Sequence, residues 1–123
     1  MPHTRPDARG TRREFSIVSA PADLPTLRIA YKDGDQKHPS SYKRALAAAE
    51  PGSALAVTGT WGDFLLPRSE TPVLMVAAGI GVTPFVSQLR QLQLTEQPRD
   101  IVLVYVASDS SELAFRDELA ATG

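Results

Sequence analysis

The stretch Val73-Leu74-Met75-Val76-Ala77-Ala78-Gly79-Ile80-Gly81-Val82-Thr83-Pro84-Phe85 decides how this chain is read. Val73 to Ala77 is an unbroken apolar run, the pattern of a strand buried on both faces of a parallel sheet. Phe85, Leu89 and Leu92 follow at helical spacing, so a helix is predicted from Pro84 to Leu94. Between strand and helix the chain turns tightly, and glycine supplies the conformations and close backbone approaches that such a turn needs. Thr83 suits the N-cap and Pro84 the first helical position. A helix start presents unpaired N–H groups and partial positive charge, which match a dinucleotide pyrophosphate. Open α/β sheets bind ligands at such strand ends. The alternative is a tight turn without a ligand. Gly-x-Gly alone is weakly specific, and Pro84 stands where the common dinucleotide fingerprint has its third glycine. No Gly-Lys-Ser/Thr is present, which speaks against a Walker-type phosphate loop.

Outward from this stretch, Pro98-Arg99-Asp100 reads as a turn and Ile101 to Ala107 as a second apolar strand. Ser110 or Ser111 then caps a helix bearing Leu113, Phe115 and Leu119. Strand, helix, strand, helix predicts a right-handed parallel unit with two strands side by side. Upstream, residues 1–11 read as loop, with Pro2, Pro6 and Gly10. Glu14 to Ala20 reads as a strand ended by Pro21. Thr26 to Lys32 alternates, with Leu27, Ile29 and Tyr31 on one face. Asp33-Gly34-Asp35 is a turn. Ser40 or Ser41 caps a short alanine-rich helix to Glu50, stopped by Pro51-Gly52. Ala54 to Gly59 reads as a third strand and Trp61 to Pro67 as irregular. The polar, proline-bounded stretch from Pro67 to Pro72 suits a domain boundary.

Composition narrows the function classes. The 123 residues fit one ordinary domain or two incomplete ones, and 42% hydrophobic with 22% charged residues permits a core. Net charge is −1, which gives no reason to expect nucleic acid or an anionic membrane as partner. The absence of cysteine excludes disulfides, cysteine-ligated zinc and cysteine-ligated iron–sulfur clusters within the chain. His3 and His38 lack metal-ligand spacing, so no metal is expected. Phe15 to Ala20 is too short an apolar run for a secretory signal, and Pro72 to Val86 is interrupted by Gly79, Gly81 and Pro84. A membrane-spanning helix needs about 20 apolar residues. A cytoplasmic location without a membrane span is the expectation.

Three segments then act together: Arg13-Glu14-Phe15-Ser16 in the first strand, Gly62-Asp63-Phe64-Leu65-Leu66-Pro67 before the linker, and the glycine turn Gly79 to Phe85. In this order and spacing the chain resembles the ferredoxin–NADP reductase superfamily. More narrowly, it resembles the bacterial FAD/NAD(P)-dependent oxidoreductases with a flavin domain of the ferredoxin-reductase type. The resemblance spans nearly all of residues 5–121. It implies a fold that is α+β and then α/β. Residues 1–67 would be a partial antiparallel FAD-binding β-barrel and 68–72 a linker. Residues 73–123 would be the first βαβα of a parallel NAD(P)-binding sheet. The cofactors implied are FAD and NAD(P)H.

The resemblance also assigns residues. Arg13 would contact the FAD pyrophosphate, a role that suits a guanidinium fork. Phe15 stands where the family often has tyrosine, keeping the apolar face without the hydroxyl, and Ser16 would donate toward the flavin ring. Ile17 continues that strand beside the cofactor or in the core. Lys32 adds positive charge near phosphate or is solvated. Ser40 and Ser41 start a helix against the pyrophosphate or act only as a cap; Pro39 replaces a glycine frequent in the family. Gly79, Gly81, Thr83 and Pro84 would border the nicotinamide nucleotide. Ser108 and Asp109 would read the adenosine ribose, where an acidic residue favours NADH, with Arg116 the nearest basic alternative. Trp61 is read as structural.

The implied reaction is hydride transfer from the nicotinamide to FAD and onward delivery of electrons to an acceptor, with no catalytic side chain assigned because the cofactors carry the chemistry. A small barrel needs about six to eight strands, more than the sequence shows before Pro67. The family's C-terminal Cys-Gly motif also has no counterpart here. The chain therefore reads as the middle of a longer reductase, incomplete as an enzyme by itself. Its partners would be a nicotinamide nucleotide and an electron-acceptor protein or a missing domain of the same enzyme. Two alternatives are a module that binds FAD or a nucleotide without turnover, and a remnant that associates with another chain through open sheet edges.

Overall fold

The computed structural model describes residues 8, 10–32 and 40–122. The expected turn at Asp33-Gly34-Asp35, Pro39, both histidines and most of the loop 1–11 lie outside them. The chain forms two compact units, Met1–Glu14 with Lys32–Gly62, and Phe15–Tyr31 with Asp63–Gly123.

In the first unit, helix α1 spans Ser41–Ala47 and Ser40 is its N-cap, with Oγ accepting from the Lys43 N–H at 3.4 Å. The helix ends short of Glu50, with Ala48 at the C-cap. Pro51 and Gly52 then form a turn. The strand expected at Ala54 to Gly59 does not form, and Leu55, Val57 and Trp61 are exposed. The alternation is suitable, but a strand is completed only by a neighbour that takes up its N–H and C=O groups. Residues 54–59 pair with no strand among the described residues.

The second unit is built on strands β1 (Val73–Ala78) and β2 (Ile101–Val106), which pair in parallel from Val73↔Ile101 to Ala78↔Val106. A 3-10 turn, Gly79–Val82, runs directly into helix α2, Thr83–Leu94. Thr83 is therefore the first helical residue. The cap position belongs to Val82, which makes no side-chain cap bond. The 3-10 turn already organises the backbone there, so a threonine cap has nothing to add. Pro84 lies in the first turn of α2, where its missing N–H costs no helical bond.

Two downstream expectations are corrected. The turn placed at Pro98-Arg99-Asp100 falls earlier, at Thr95 and Glu96, where Glu96 has φ +52°. The single helix after β2 is broken: Ser110–Glu112 is a 3-10 turn capped by Asp109, and α3 covers only Arg116–Ala120. Phe115 is buried at the break and anchors the segment in the core.

Both strands bury one face only, against the expectation of burial on two. Met75 and Ala77 point inward, 2% and 4% exposed, whereas Leu74 and Val76 are 65% and 62% exposed. Val102, Val104 and Val106 of β2 are exposed likewise. The inward face meets Val82, Phe85, Val86 and Phe115 to form the core.

That core also takes in Val18, which is 1% exposed. The strands expected at Glu14–Ala20 and Thr26–Lys32 reduce to one antiparallel bridge, Ile17↔Ile29, with Val18 N–H donating to Arg28 O at 2.8 Å. Leu27 and Ile29 are exposed, and Ala30 packs on the core instead. The reason is the docking of residues 18–23 on α2. Ser87 Oγ donates to Ser19 O at 2.7 Å, and the Ala22 N–H to Gln91 Oε1 at 2.9 Å. Arg90 grips Asp23 with both prongs, Nε to Oδ2 at 2.7 Å and Nη2 to Oδ1 at 2.8 Å. Asp23 Oδ2 also accepts from the Ala20 N–H at 2.9 Å. Leu24-Pro25, a cis peptide, follows.

Two outcomes are expected. Met75→Ala should lower stability by about 2–5 kcal/mol, the range for emptying a core methionine site, measured by denaturant unfolding. The second concerns pH. The Arg90 hydrogen bonds, followed by the Ala20 N–H, hold the Asp23 carboxyl down from 3.8 to about 2. A depressed folded-state value means that the unfolded chain takes up the proton first. The contribution is thus complete above about pH 4 and is lost as pH falls toward about 2. Asp23→Asn should flatten the melting-temperature profile in that window, and an unchanged profile would contradict the assignment.

Candidate functional site

The glycine turn sits at the C-terminal end of β1, where a parallel sheet presents its ligand side. Gly79 has φ +50°, a left-handed conformation that a side chain strains, whereas the Gly81 backbone is unstrained. A Cβ built on either glycine meets nothing within 4 Å, so the space above the turn is open. The first N–H groups of the turn have no intrahelical acceptor and carry the positive end of the α2 dipole. Thr83 is buried and Pro84 half-buried directly after the two glycines in the chain.

At the end of β2, Ser108 and Asp109 are exposed. Asp109 Oδ1 accepts from the Ser111 N–H at 2.8 Å and from the Ser111 Oγ at 2.6 Å. These bonds, the hydroxyl first, hold the Asp109 carboxyl below its ordinary range. Both bonds fall on Oδ1 of the exposed side chain. Arg116, the basic alternative, is exposed and makes a 3.4 Å contact with Asp117.

The residues assigned to the flavin fall in both units. In the first, the Arg13 guanidinium lies 5.7 Å from the Tyr42 ring centroid, and Nη1 donates to Gly10 O at 3.1 Å and Arg12 O at 2.6 Å. Ser40 and Ser41 are buried at the start of α1, and the Lys32 carbonyl accepts from Lys43 Nζ. In the second, Phe15 is half-buried with its ring centroid 6.2 Å from that of Tyr31. Ser16 is exposed, and Ile17 is at the bridge to Ile29.

Sequence reasoning missed the docking set Ser19, Ala22 and Asp23 on Ser87, Arg90 and Gln91. The signal was present: Ser87, Arg90 and Gln91 stand at i, i+3 and i+4, one polar stripe on a helix whose other face is core.

Residues 75–123 match the model of the oxidoreductase NAD-binding domain. The chain is 34% identical over 111 residues to a ferredoxin–NADP reductase of Sorangium cellulosum, covering 89% of this chain and 44% of that protein. It is 32% identical over 108 residues to a flavohemoprotein of Deinococcus radiodurans, covering 88% and 26%. Among solved structures, the ferredoxin–NADP reductase of Plasmodium falciparum superposes with a TM-score of 0.77 at 22% identity, over 89% of this chain and 45% of that one. The FAD/NAD-binding domain of a Vibrio cholerae nitric oxide dioxygenase gives 0.77 and 22%, over 96% and 52%. The chain thus matches proteins of the ferredoxin–NADP reductase superfamily, and its fold is that of their reductase domains. It spans between about a quarter and half the length of these relatives. The glycine turn lies within the segment that matches the NAD-binding domain. No helix among the described residues is long and apolar enough to cross a membrane.

The two glycines are expected to fail differently. Gly81→Val projects into open space, so the melting transition should stay near that of the parent while NADH binding weakens more than about tenfold, or about 1.4 kcal/mol. Gly79→Ala should instead lower stability, by about 1–2 kcal/mol for a strained left-handed residue. Calorimetric titration and thermal melting read the two effects. Unimpaired NADH binding by Gly81→Val would remove the turn from the site.

Proposed function

We propose that the chain supplies the junction of a cytoplasmic flavoprotein oxidoreductase that passes electrons between NAD(P)H and an acceptor through FAD. Residues 1–67 belong to the flavin side, 68–72 link, and 73–123 begin the nucleotide side. The carrying observation is the open glycine turn at the end of β1, continuous with α2, inside the segment that matches the NAD-binding domain. Gly79, Gly81, Thr83 and Pro84 border the nucleotide. Asp109 Oδ2 accepts from a ribose hydroxyl, an arrangement that a 2′-phosphate would repel, which favours NADH over NADPH. Ser108 lies beside it.

Bound FAD would supply the redox chemistry, the capacity to take up a hydride from the nicotinamide and to pass electrons on. The chain's own residues bind and orient it. Arg13, with Lys32, Ser40 and Ser41, holds the pyrophosphate, and Phe15, Ser16 and Ile17 line the flavin ring. Support comes from their placement: the Arg13 guanidinium, the Tyr42 ring and the capped start of α1 occur in one unit. Ser16 is open to approach beside the half-buried Phe15. The flavin side forms no strand ladder among the described residues, so FAD retention is expected to be weak. With it, turnover by residues 1–123 should not rise above the free-flavin background.

The expected outcome is saturable NADH binding, tighter than NADPH binding, together with measurable FAD binding that Arg13→Ala weakens by about 1.5–3 kcal/mol, the range for a charged hydrogen bond. Titration calorimetry and flavin fluorescence provide the readouts. Absence of saturable NADH binding would overturn the nucleotide reading, and equal FAD affinity in parent and Arg13→Ala would remove Arg13 from the flavin site.

A further inference from the structure

The segment that carries Phe15, Ser16 and Ile17 is built into the nucleotide-side unit. Val18 shares a core with Val82, Phe85 and Val86, and Ser19 and Ala20 are buried behind it. Residues 19–23 are then tied to the second turn of α2 by the Ser87, Arg90 and Gln91 side chains described above. The same helix begins at Thr83, directly after the glycine turn. Thr83 to Arg90 is seven residues along a helix, about 10 Å at 1.5 Å per residue. Phe15 to Ser19 is four residues of extended chain, about 13 Å. Both ends therefore project a short distance from one junction.

The Asp23–Arg90 fork is the part of that junction with directional bonds. Two parallel N–H···O contacts fix the carboxylate plane as well as its distance. A second pair, Arg28 Nη2 to Glu118 Oε2 at 3.3 Å, ties the returning strand to α3, while the Arg28 N–H donates to Ser19 Oγ at 3.0 Å. The charged groups facing Asp23 are thus Arg90 and Arg28, with Glu118 facing Arg90 in turn.

We propose that Asp23 and Arg90 are a positioning pair that fixes the flavin-contact segment Phe15–Ile17 relative to the glycine turn Gly79–Thr83, and so sets how the flavin and the nicotinamide meet. The proposal rests on the functional reading above. Hydride transfer reduces the flavin and oxidises the nicotinamide, and it requires the reacting atoms to be held about 3–3.5 Å apart. A loose junction would leave both cofactors bound and their approach undefined. Besides the stability that the ionised Asp23 contributes, the two parallel contacts of this part-buried pair fix orientation.

The chain has no cysteine, so paired labels can be introduced without removing any native residue. Ser16→Cys and Ile80→Cys, both at exposed positions, take nitroxide labels in the full chain, and pulsed electron resonance reads the distance distribution between them. The parent should give a narrow distribution. Asp23→Asn and Arg90→Gln should each broaden it at least twofold, while NADH affinity, measured on the same variants without Ser16→Cys, Ile80→Cys or labels, stays within about twofold of the unlabelled parent. The reversed pair, Asp23→Arg with Arg90→Asp, should narrow it again. Thermal melting of each variant separates loosening from unfolding, and a distribution that broadens only in step with a lost melting transition would mark the pair as merely stabilising and overturn the proposal. Unchanged widths in the single variants, or no recovery in the reversed pair, would also overturn it. Failure of the underlying reading shows separately, as a parent that binds no NADH whatever its label distances.

Discussion

Val18 is enclosed in the same small core as Val82, Phe85 and Val86, and the rest of the larger unit depends on that packing. Burying a valine side chain contributes about 1.5–3 kcal/mol, a large share for a core of seven buried residues. The first half of α2 supplies the apolar wall, and the next turn supplies the polar grip on residues 19–23. Chain segments far apart in sequence are thereby made one body. The segment proposed to contact the flavin is held by the helix that starts at the glycine turn.

The sequence made β1, α2 and the parallel partner β2 readable because each carries its signal locally. Val73–Ala77 is apolar at every position, and Phe85, Leu89 and Leu92 repeat with the helix. The same uniformity hid the one-sided burial of the sheet. When inward and outward positions are all apolar, periodicity cannot say which face is covered, and Leu74 reads like Met75. At Glu14–Ala20, Thr26–Lys32 and Ala54–Gly59 the opposite happened. The alternation was present, but strand formation is settled by a distant backbone partner, and among the described residues only Ile17 and Ile29 meet.

The candidate site was legible to the same degree. The strand–turn–helix order around the glycines was readable because it is contiguous in sequence. The docking set was not, since Asp23 and Arg90 are separated by 67 residues and each alone looks solvated. Roles shifted even where positions held. Ser40 caps α1 as read, yet the cap after β2 is Asp109 rather than a serine, and Thr83 is helical rather than a cap. A carboxylate reaches a free N–H two residues on as well as a hydroxyl does, so residue type could not choose among Asp109, Ser110 and Ser111.

The two glycines of the turn separate what the fold requires from what a ligand requires. Gly79 adopts φ +50°, so it is needed whether or not anything binds, because a side chain there strains the exit from β1. Gly81 has no such conformation and no neighbour within 4 Å, so neither the backbone nor the packing accounts for a glycine at that place. What remains is the open space itself. Open space at the head of a helix, where unpaired N–H groups carry partial positive charge, suits an anion that approaches the backbone closely, as the proposed function requires. The pyrophosphate of a nicotinamide nucleotide meets both conditions, shape at Gly81 and charge at the helix start.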